Sequence, residues 1–152
     1  MTTSAFQAEG LKKYSTQAYD LSESRRVLRF GEKYIVQTKG RWHGQPLVWE
    51  KWERQFLKEL FLRKPNGERV YDQALCGIAR KNGKSTLGAA LGLYGLVGAG
   101  EHSPEVYAAA ASKDQAGIVF RQSTDFVTSS PQLMDWLKPQ SAEPSRKITI
   151  AT

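Results

Sequence analysis

The residues with the clearest chemical potential form one string, Arg80-Lys81-Asn82-Gly83-Lys84-Ser85-Thr86. An apolar segment, residues 70–78, precedes this string, and a segment rich in small residues follows it. A Gly-Lys-Ser triplet between a strand and a helix is typical of a loop that binds nucleotide phosphates. In such a loop the backbone N–H groups and the positive end of the helix bind phosphate oxygens. The sequence therefore predicts a phosphate-binding loop here.

Each residue of the string has an expected role. The backbone N–H groups of Asn82, Gly83 and Lys84 are expected to form an anion-binding nest. The Lys84 ammonium is expected to reach the β- and γ-phosphate oxygens, and the Ser85 hydroxyl to ligate Mg²⁺. Lys81 and Thr86 flank these groups and complete the expected nucleotide-binding set.

The string departs from the strict Walker A pattern, which has a glycine five positions before the glycine of the triplet. Ile78 occupies that position, relative to Gly83. The triplet alone also suits a solvated basic turn between a strand and a helix. Three neighbouring features favour phosphate binding: the apolar lead-in, the compact helix that opens at Thr86, and a second strand-like segment at residues 105–111.

Composition limits the class of protein. With 152 residues, of which 40% are hydrophobic, the chain is long and apolar enough for one domain with a buried core. A polar N-terminus and the absence of any apolar run long enough to span a bilayer predict a soluble, intracellular protein. Cys76 is the only cysteine, which excludes an intramolecular disulfide and a thiolate metal cluster.

The net charge of +7 is placed unevenly along the chain. Up to Lys84 there are 17 Lys and Arg against 9 Asp and Glu, and after it 5 against 6. An excess of positive charge favours polyanionic partners such as nucleic acid, but a domain with one solvated basic face has the same balance. The charge alone therefore leaves both interpretations open.

Hydrophobic spacing predicts the elements that would position the loop. Residues 1–26 are predicted to be an N-terminal arm, and residues 27–38 suit either a helix or a strand. Strands that alternate with helices indicate an α/β fold, a doubly wound parallel sheet with helices on both faces and the ligand at the strand carboxyl ends. The remaining predicted elements are a helix at 47–64, a strand at 70–78, a helix at 85–99, a strand at 105–111, a helix that begins with a capping box at 112–115, a short helix at 133–137 and a strand at 147–151.

These segments resemble the large terminase subunit of tailed bacteriophages, the ATPase of the viral DNA-packaging motor. The string from Ile78 to Ser85 resembles that family's deviant Walker A loop, which is basic in the middle and lacks the first glycine. Residues 106–110 and 114–120 are similar to the strand and helix that follow the loop in terminases. The resemblance implies that residues 27–152 are the N-terminal part of a P-loop ATPase of the additional-strand type.

The resemblance also implies a function and its partners. The intact protein would use ATP and Mg²⁺ to package double-stranded DNA into a capsid. Its partners would be the DNA, a small terminase subunit, the portal protein and sister subunits in a ring, without a membrane. Its location would be the cytoplasm of the infected bacterial host.

Further site residues follow from the family likeness. The helix before the first strand would hold the adenine pocket, where terminases commonly have an aromatic residue followed by Gln, and Trp52-Glu53 is the matching pair. An ionised carboxylate accepts a hydrogen bond from the adenine amino group but cannot donate one to a ring nitrogen. Trp52 is equally suited to a core position. Arg80 would act with Lys84 in catalysis by contacting the γ-phosphate, or it is a surface cation of the loop.

One part of the expected catalytic set is missing from this sequence. An ATPase of this kind needs an apolar strand that ends in Asp-Glu, for Mg²⁺ and for the attacking water. No such run follows Ser112, and the family's nuclease carboxylates are not in this chain either. The chain is therefore expected to bind ATP without hydrolysing it alone. The alternatives are a non-catalytic module for nucleotide or nucleic acid, and another P-loop ATPase such as a helicase.

Overall fold

The computed structural model describes residues 19–140 and 146–151, and these form five α-helices and a two-stranded sheet. A 3₁₀ turn, Gly40–Trp42, lies between the first two helices, and a π turn, Tyr94–Gly98, extends the third. The elements are α1 (Ser22–Tyr34), α2 (Lys51–Leu60), α3 (Lys84–Leu93), α4 (Lys113–Thr128), α5 (Pro131–Trp136), β1 (Leu137–Gln140) and β2 (Lys147–Ile150). Of the predicted arm, residues 1–18 lie outside the described part of the chain.

Helix α1 resolves the alternative that the sequence left open over residues 27–38. Its apolar residues Val27, Leu28 and Phe30 are buried on one side of the helix, which is the periodicity of an amphipathic helix. Glu23 is buried as well, and it forms ion pairs with Arg63 and Arg69. The helix starts at Ser22, so the predicted boundary at residue 26 falls inside it.

The core lies between the helices. Leu57 on α2, Phe126 on α4 and Leu133 on α5 have no exposed surface. The Tyr94 ring, at the end of α3, meets the rings of Phe30 and Phe61 edge to face, with centroid distances of 5.6 and 5.5 Å. Helices from both ends of the chain therefore share one apolar cluster.

Local capping decides where two predicted helices begin. Helix α2 starts at Lys51, not at residue 47, because a capping box between Glu50 and Glu53 closes its first turn. Leu47 is instead extended and donates its backbone N–H to the Ile35 carbonyl at 2.9 Å. Helix α4 shows the Ser112 half of the predicted capping box, since the Ser112 hydroxyl accepts a hydrogen bond from the Gln115 N–H at 3.3 Å.

The predicted core strands are the main difference between expectation and structure. Residues 70–78 and 105–111 are not paired as strands within the described part of the chain, and the doubly wound parallel sheet is not formed there. A strand needs a neighbouring strand for its N–H and C=O groups, and among the described residues neither segment pairs with one. Leu75 is 90% exposed and Tyr107 is 82% exposed.

The C-terminal elements occur close to their predicted positions but pair differently. The predicted helix at 133–137 is α5, and the predicted strand at 147–151 is β2. Strand β2 pairs antiparallel with β1, with Leu137 opposite Ile150. A hairpin-like pair satisfies its hydrogen bonds between neighbouring segments, so it does not depend on a larger sheet.

Two glycines of the predicted helix at 85–99 allow another segment to approach closely. A Cβ atom at Gly95 would lie 2.9 Å from Val106 Cγ2, and one at Gly92 would lie 3.7 Å from Val106 Cγ1. The extended segment 105–111 therefore lies directly against α3 and the π turn. Within the described residues no helix is both long and apolar enough to cross a bilayer.

Candidate phosphate-binding site

The loop before α3 has an unusual backbone. Lys81 has φ of +66° and Gly83 has φ of +80°. Glycine adopts this left-handed region readily, whereas for lysine it costs conformational energy, of order 1–3 kcal/mol. Two such residues, separated by Asn82, turn the chain sharply at the start of the helix. Concave runs of backbone N–H groups arise from this kind of alternation, and they bind anions.

The Lys84 side chain folds back across this turn. Its ammonium donates a hydrogen bond to the Ile78 carbonyl, six residues earlier, at the position where the strict motif has glycine. Among the residues that the structure describes, Lys84 has no carboxylate partner, and its side chain is exposed. A cation held only by a neutral acceptor can exchange that contact for a charged phosphate oxygen.

The first turn of α3 completes the expected anion site. The first intrahelical hydrogen bond runs from the Leu87 N–H to the Gly83 carbonyl at 2.8 Å. The N–H groups of Lys84, Ser85 and Thr86 therefore have no partner within the helix, and they lie at its positive end. Ser85 and Thr86 are half-buried in this turn.

The Ser85 hydroxyl suits the Mg²⁺ that this type of loop implies. Mg²⁺ prefers oxygen ligands and keeps several waters when it is bound through one or two protein groups and substrate phosphates. A single hydroxyl beside the loop is compatible with that coordination. The described residues contain no cluster of three or more metal-ligating side chains.

Three predicted residues form the exposed rim of the loop. Arg80, Lys81 and Asn82 are all exposed. Neither Arg80 nor Lys81 forms a salt bridge with a residue in 19–140 or 146–151. Together with Lys84 these side chains make the site electropositive, which attracts an anionic ligand.

The structure brings Glu53 to the loop, 30 residues away in sequence. The Glu53 carboxylate is 5% exposed, and its Oε1 lies 3.1 Å from the position that a Cβ atom would take at Gly83. Its Oε2 accepts a hydrogen bond from the Glu50 N–H at 2.8 Å. Burial raises the pKa of Glu53, opposed by that backbone hydrogen bond, while the nearby Glu50 charge raises it further.

Trp52 is placed differently. Its side chain is half-buried and packs against the apolar core from the edge of α2. This contact fits the core role that the sequence left open, and it leaves part of the ring accessible. The contact of Glu53 with Gly83 has no signal in local spacing, because it depends on how α2 packs beside the loop.

Comparison with known proteins gives matches over most of this chain. A family model described as terminase large subunit, ATPase domain, matches residues 51–150. The large terminase subunit of Enterobacteria phage HK97 is 31% identical over 116 residues, which are 76% of this chain and 22% of that protein. The crystal structure of the HK97 bacteriophage large terminase matches with a TM-score of 0.69 at 28% identity.

The structural match covers 82% of this chain and 24% of the HK97 chain. The chain therefore spans less than a quarter of the length of the relative that it matches. The residues matched by the family model include α2, the phosphate-binding loop and all the elements that follow it.

Proposed function

The chain belongs to the family of terminase large subunit ATPase domains, and on this premise we propose that it is the ATP-binding part of a motor that packages double-stranded DNA into a capsid. The observation that carries the proposal is the Lys84 ammonium, which crosses a turn with two left-handed residues at the start of α3. Such an arrangement would let backbone N–H groups and the Lys84 ammonium bind the same phosphates.

The roles of the loop residues follow from this geometry. Lys84 neutralises charge on the β- and γ-phosphates, and the N–H groups of Asn82 and Gly83 bind phosphate oxygens. Arg80, exposed at the rim, contacts the γ-phosphate. The Ser85 hydroxyl holds Mg²⁺, which neutralises phosphate charge when it is bound.

Glu53 and Trp52 are proposed to meet the adenine end of the nucleotide. The Glu53 carboxylate would accept a hydrogen bond from the adenine amino group. Its Oε2 already accepts the Glu50 N–H, so Oε1 is the atom available to the base.

The larger fold and the partners belong to the same proposal. Residues 70–78 and 105–111 would be strands of the doubly wound parallel sheet of a P-loop ATPase of the additional-strand type, on either side of α3 in sequence. Their exposed Leu75 and Tyr107 support this, since interior strands are apolar on both faces. The small terminase subunit, the portal protein, a ring of sister subunits and the cytoplasm of an infected bacterium complete the proposal.

The decisive experiment compares two lysine variants of the whole chain. Lys84→Ala should weaken binding of a fluorescent ATP analogue by about 10- to 100-fold, because a hydrogen bond to a charged group contributes about 1.5–3 kcal/mol. Lys58→Ala removes an exposed lysine from the last turn of α2 and should leave the affinity unchanged. Equal affinity of both variants and the parent chain would refute the phosphate-binding loop.

Hydrolysis is a separate expectation. The chain alone should bind ATP without turnover, since no apolar run ending in Asp-Glu follows Ser112 to hold the metal's far side and orient water. A phosphate-release assay measures this directly. Steady release that disappears in Lys84→Ala would contradict it and direct attention to Asp114, Asp125 and Asp135.

A further inference from the structure

A second basic site lies at the opposite end of α3 from the phosphate-binding loop. A cavity of about 530 Å³ opens between α1, the π turn and α5. Helix α1 lines it with four basic side chains, and the π turn and α5 contribute aromatic rings. Ten residues separate Lys84 from Tyr94, so the two sites lie about 15 Å apart along the helix.

The basic side chains form a regular stripe. Arg25, Arg29 and Lys33 occur at intervals of four residues, so they lie on one face of α1, and Arg26 lies beside them. All four are exposed. At a rise of 1.5 Å per residue the stripe is about 12 Å long. Along that length, one strand of a DNA duplex carries about three or four phosphates.

The acidic residues of α1 do not neutralise the stripe. Glu23 is paired with Arg63 and Arg69, and Glu32 is paired with Arg54 at 2.6 Å. None of the four basic residues forms a salt bridge within the ranges 19–140 and 146–151.

Asp20 is a further carboxylate that interacts with the stripe, through Arg25. Its pKa is lowered mainly by hydrogen bonds from the backbone and hydroxyl of Ser22, with a smaller effect from Arg25. Asp20 therefore keeps its negative charge and offsets part of the positive charge at the Arg25 end of the stripe, while no effect of Arg26, Arg29 or Lys33 on it is resolved.

The walls of the cavity include two aromatic residues. Tyr94 lines the cavity and is only 1% exposed, so it forms a firm apolar wall. Trp136 is partly exposed and packs edge to face on Tyr34 at 5.0 Å. Such a ring can pack against a sugar or a base.

We propose that this groove, defined by Arg25, Arg26, Arg29 and Lys33 together with Tyr94 and Trp136, binds the phosphate backbone of DNA. The choice of DNA among polyanions rests on the proposed packaging function, while the phosphate chemistry rests on the stripe itself. The four cations bind successive phosphates of one strand, and the Trp136 ring packs against a sugar or a base. The π turn forms one wall of the groove, because it brings Tyr94 and Gly98 together beside α1.

The test uses two triple variants of the whole chain with equal charge. One carries Arg25→Gln, Arg29→Gln and Lys33→Gln in the groove. The matched control carries Lys51→Gln, Lys58→Gln and Lys147→Gln, three exposed lysines outside it. Fluorescence anisotropy with a short labelled duplex should show at least about tenfold weaker binding for the groove variant, and a salt dependence smaller in slope by about 2 to 3.

The control variant should lose less than about threefold, since only the general charge changes. Equal losses in both triple variants would overturn the proposal, because net charge would then explain binding. Loss of binding to phosphatidylglycerol vesicles, with duplex binding retained, would overturn it in favour of a lipid surface.

ATP titration of the same variants separates this proposal from the nucleotide site. The groove variant should keep the ATP affinity of the parent chain, and Lys84→Ala should keep the duplex affinity. If the parent chain fails to bind ATP while the groove variant selectively loses DNA, the proposed function fails and the groove stands.

Discussion

The helices and the two extended segments of this chain contain similarly apolar residues, yet only the helices bury them. Leu57, on α2, has no exposed surface, whereas Leu75, in the segment 70–78, is 90% exposed. The apolar content of the segments 70–78 and 105–111 predicts strands in the interior of a sheet. The difference lies in the backbone, because a helix satisfies its own N–H and C=O groups while a strand needs a neighbouring strand.

The contrast separates the part of the chain that stabilises the fold from the part that contains the phosphate-binding loop. The helical cluster supplies the buried area that stabilises the fold. The extended segments precede and follow the phosphate-binding helix in sequence, and the loop before that helix is largely exposed. Segment 105–111 has one firm contact with the cluster, through Val106 on Gly92 and Gly95.

The largest expected effect is the loss of stability when a buried leucine of the helical core is truncated. Leu57→Ala should lower the free energy of unfolding by about 2–5 kcal/mol, because it leaves a cavity in a packed core. Leu75→Ala is the matched variant, since the same atoms are removed from an exposed position. It should change stability by less than about 0.5 kcal/mol. Urea unfolding followed by circular dichroism measures both, and a large loss in Leu75→Ala would mean that segment 70–78 is packed in solution.

A smaller effect tests the contact between the two regions. A methyl group at Gly95 would meet Val106 at 2.9 Å, so Gly95→Ala should cost about 1–3 kcal/mol through overpacking. Gly92→Ala meets the same valine at an ordinary 3.7 Å and should stabilise α3 by up to about 1 kcal/mol through helix propensity. Thermal unfolding compares the two.

The Val106→Ala background provides the control for that pair. Removing the valine methyl groups should abolish most of the cost of Gly95→Ala, because the overlapping atoms are gone. An unchanged cost in this background would show that segment 105–111 does not lie against α3.

The smallest effect concerns Glu53, where α2 meets the loop. Its carboxyl has a raised pKa in the folded state, so it binds its proton more tightly there than in the unfolded chain. The free energy of unfolding should therefore fall as the pH rises from the ordinary value of 4.5 through the raised pKa. Glu53→Gln should flatten this dependence, measured by urea unfolding across that window. Glu101→Gln, at an exposed carboxyl, should preserve the parent profile, and an equal flattening would exclude Glu53 as the cause.

The variant Glu53→Gln also tests the proposal that Glu53 contacts adenine. Glu53→Gln presents a permanent donor and acceptor, so it should increase the preference for ATP over GTP in competition titrations. Identical discrimination in the parent and the variant would indicate that Glu53 acts only as the cap of α2 and that Trp52 is a core residue.

The local elements were largely predictable. The order of the helices, the Ser112 cap and the position of β2 agree with their sequence patterns, since caps and helical spacing act over a few residues. The family was also recognisable from the loop string and the segments that follow it, and the comparisons confirm it. The roles assigned to individual loop residues stay predictions.

The sequence by itself determined which segments from residue 47 onward are helical, where the basic loop lies and which family the chain belongs to, because these depend on short-range spacing. Only the tertiary structure decided that Glu53 lies against Gly83, that Glu23 is buried with two arginines, and that α1 aligns its basic stripe with the π turn. Only the tertiary structure showed, too, that the segments 70–78 and 105–111 do not pair as strands among the described residues. Such contacts join residues that are far apart in the chain, and they arise from the packing of whole elements rather than from any local pattern.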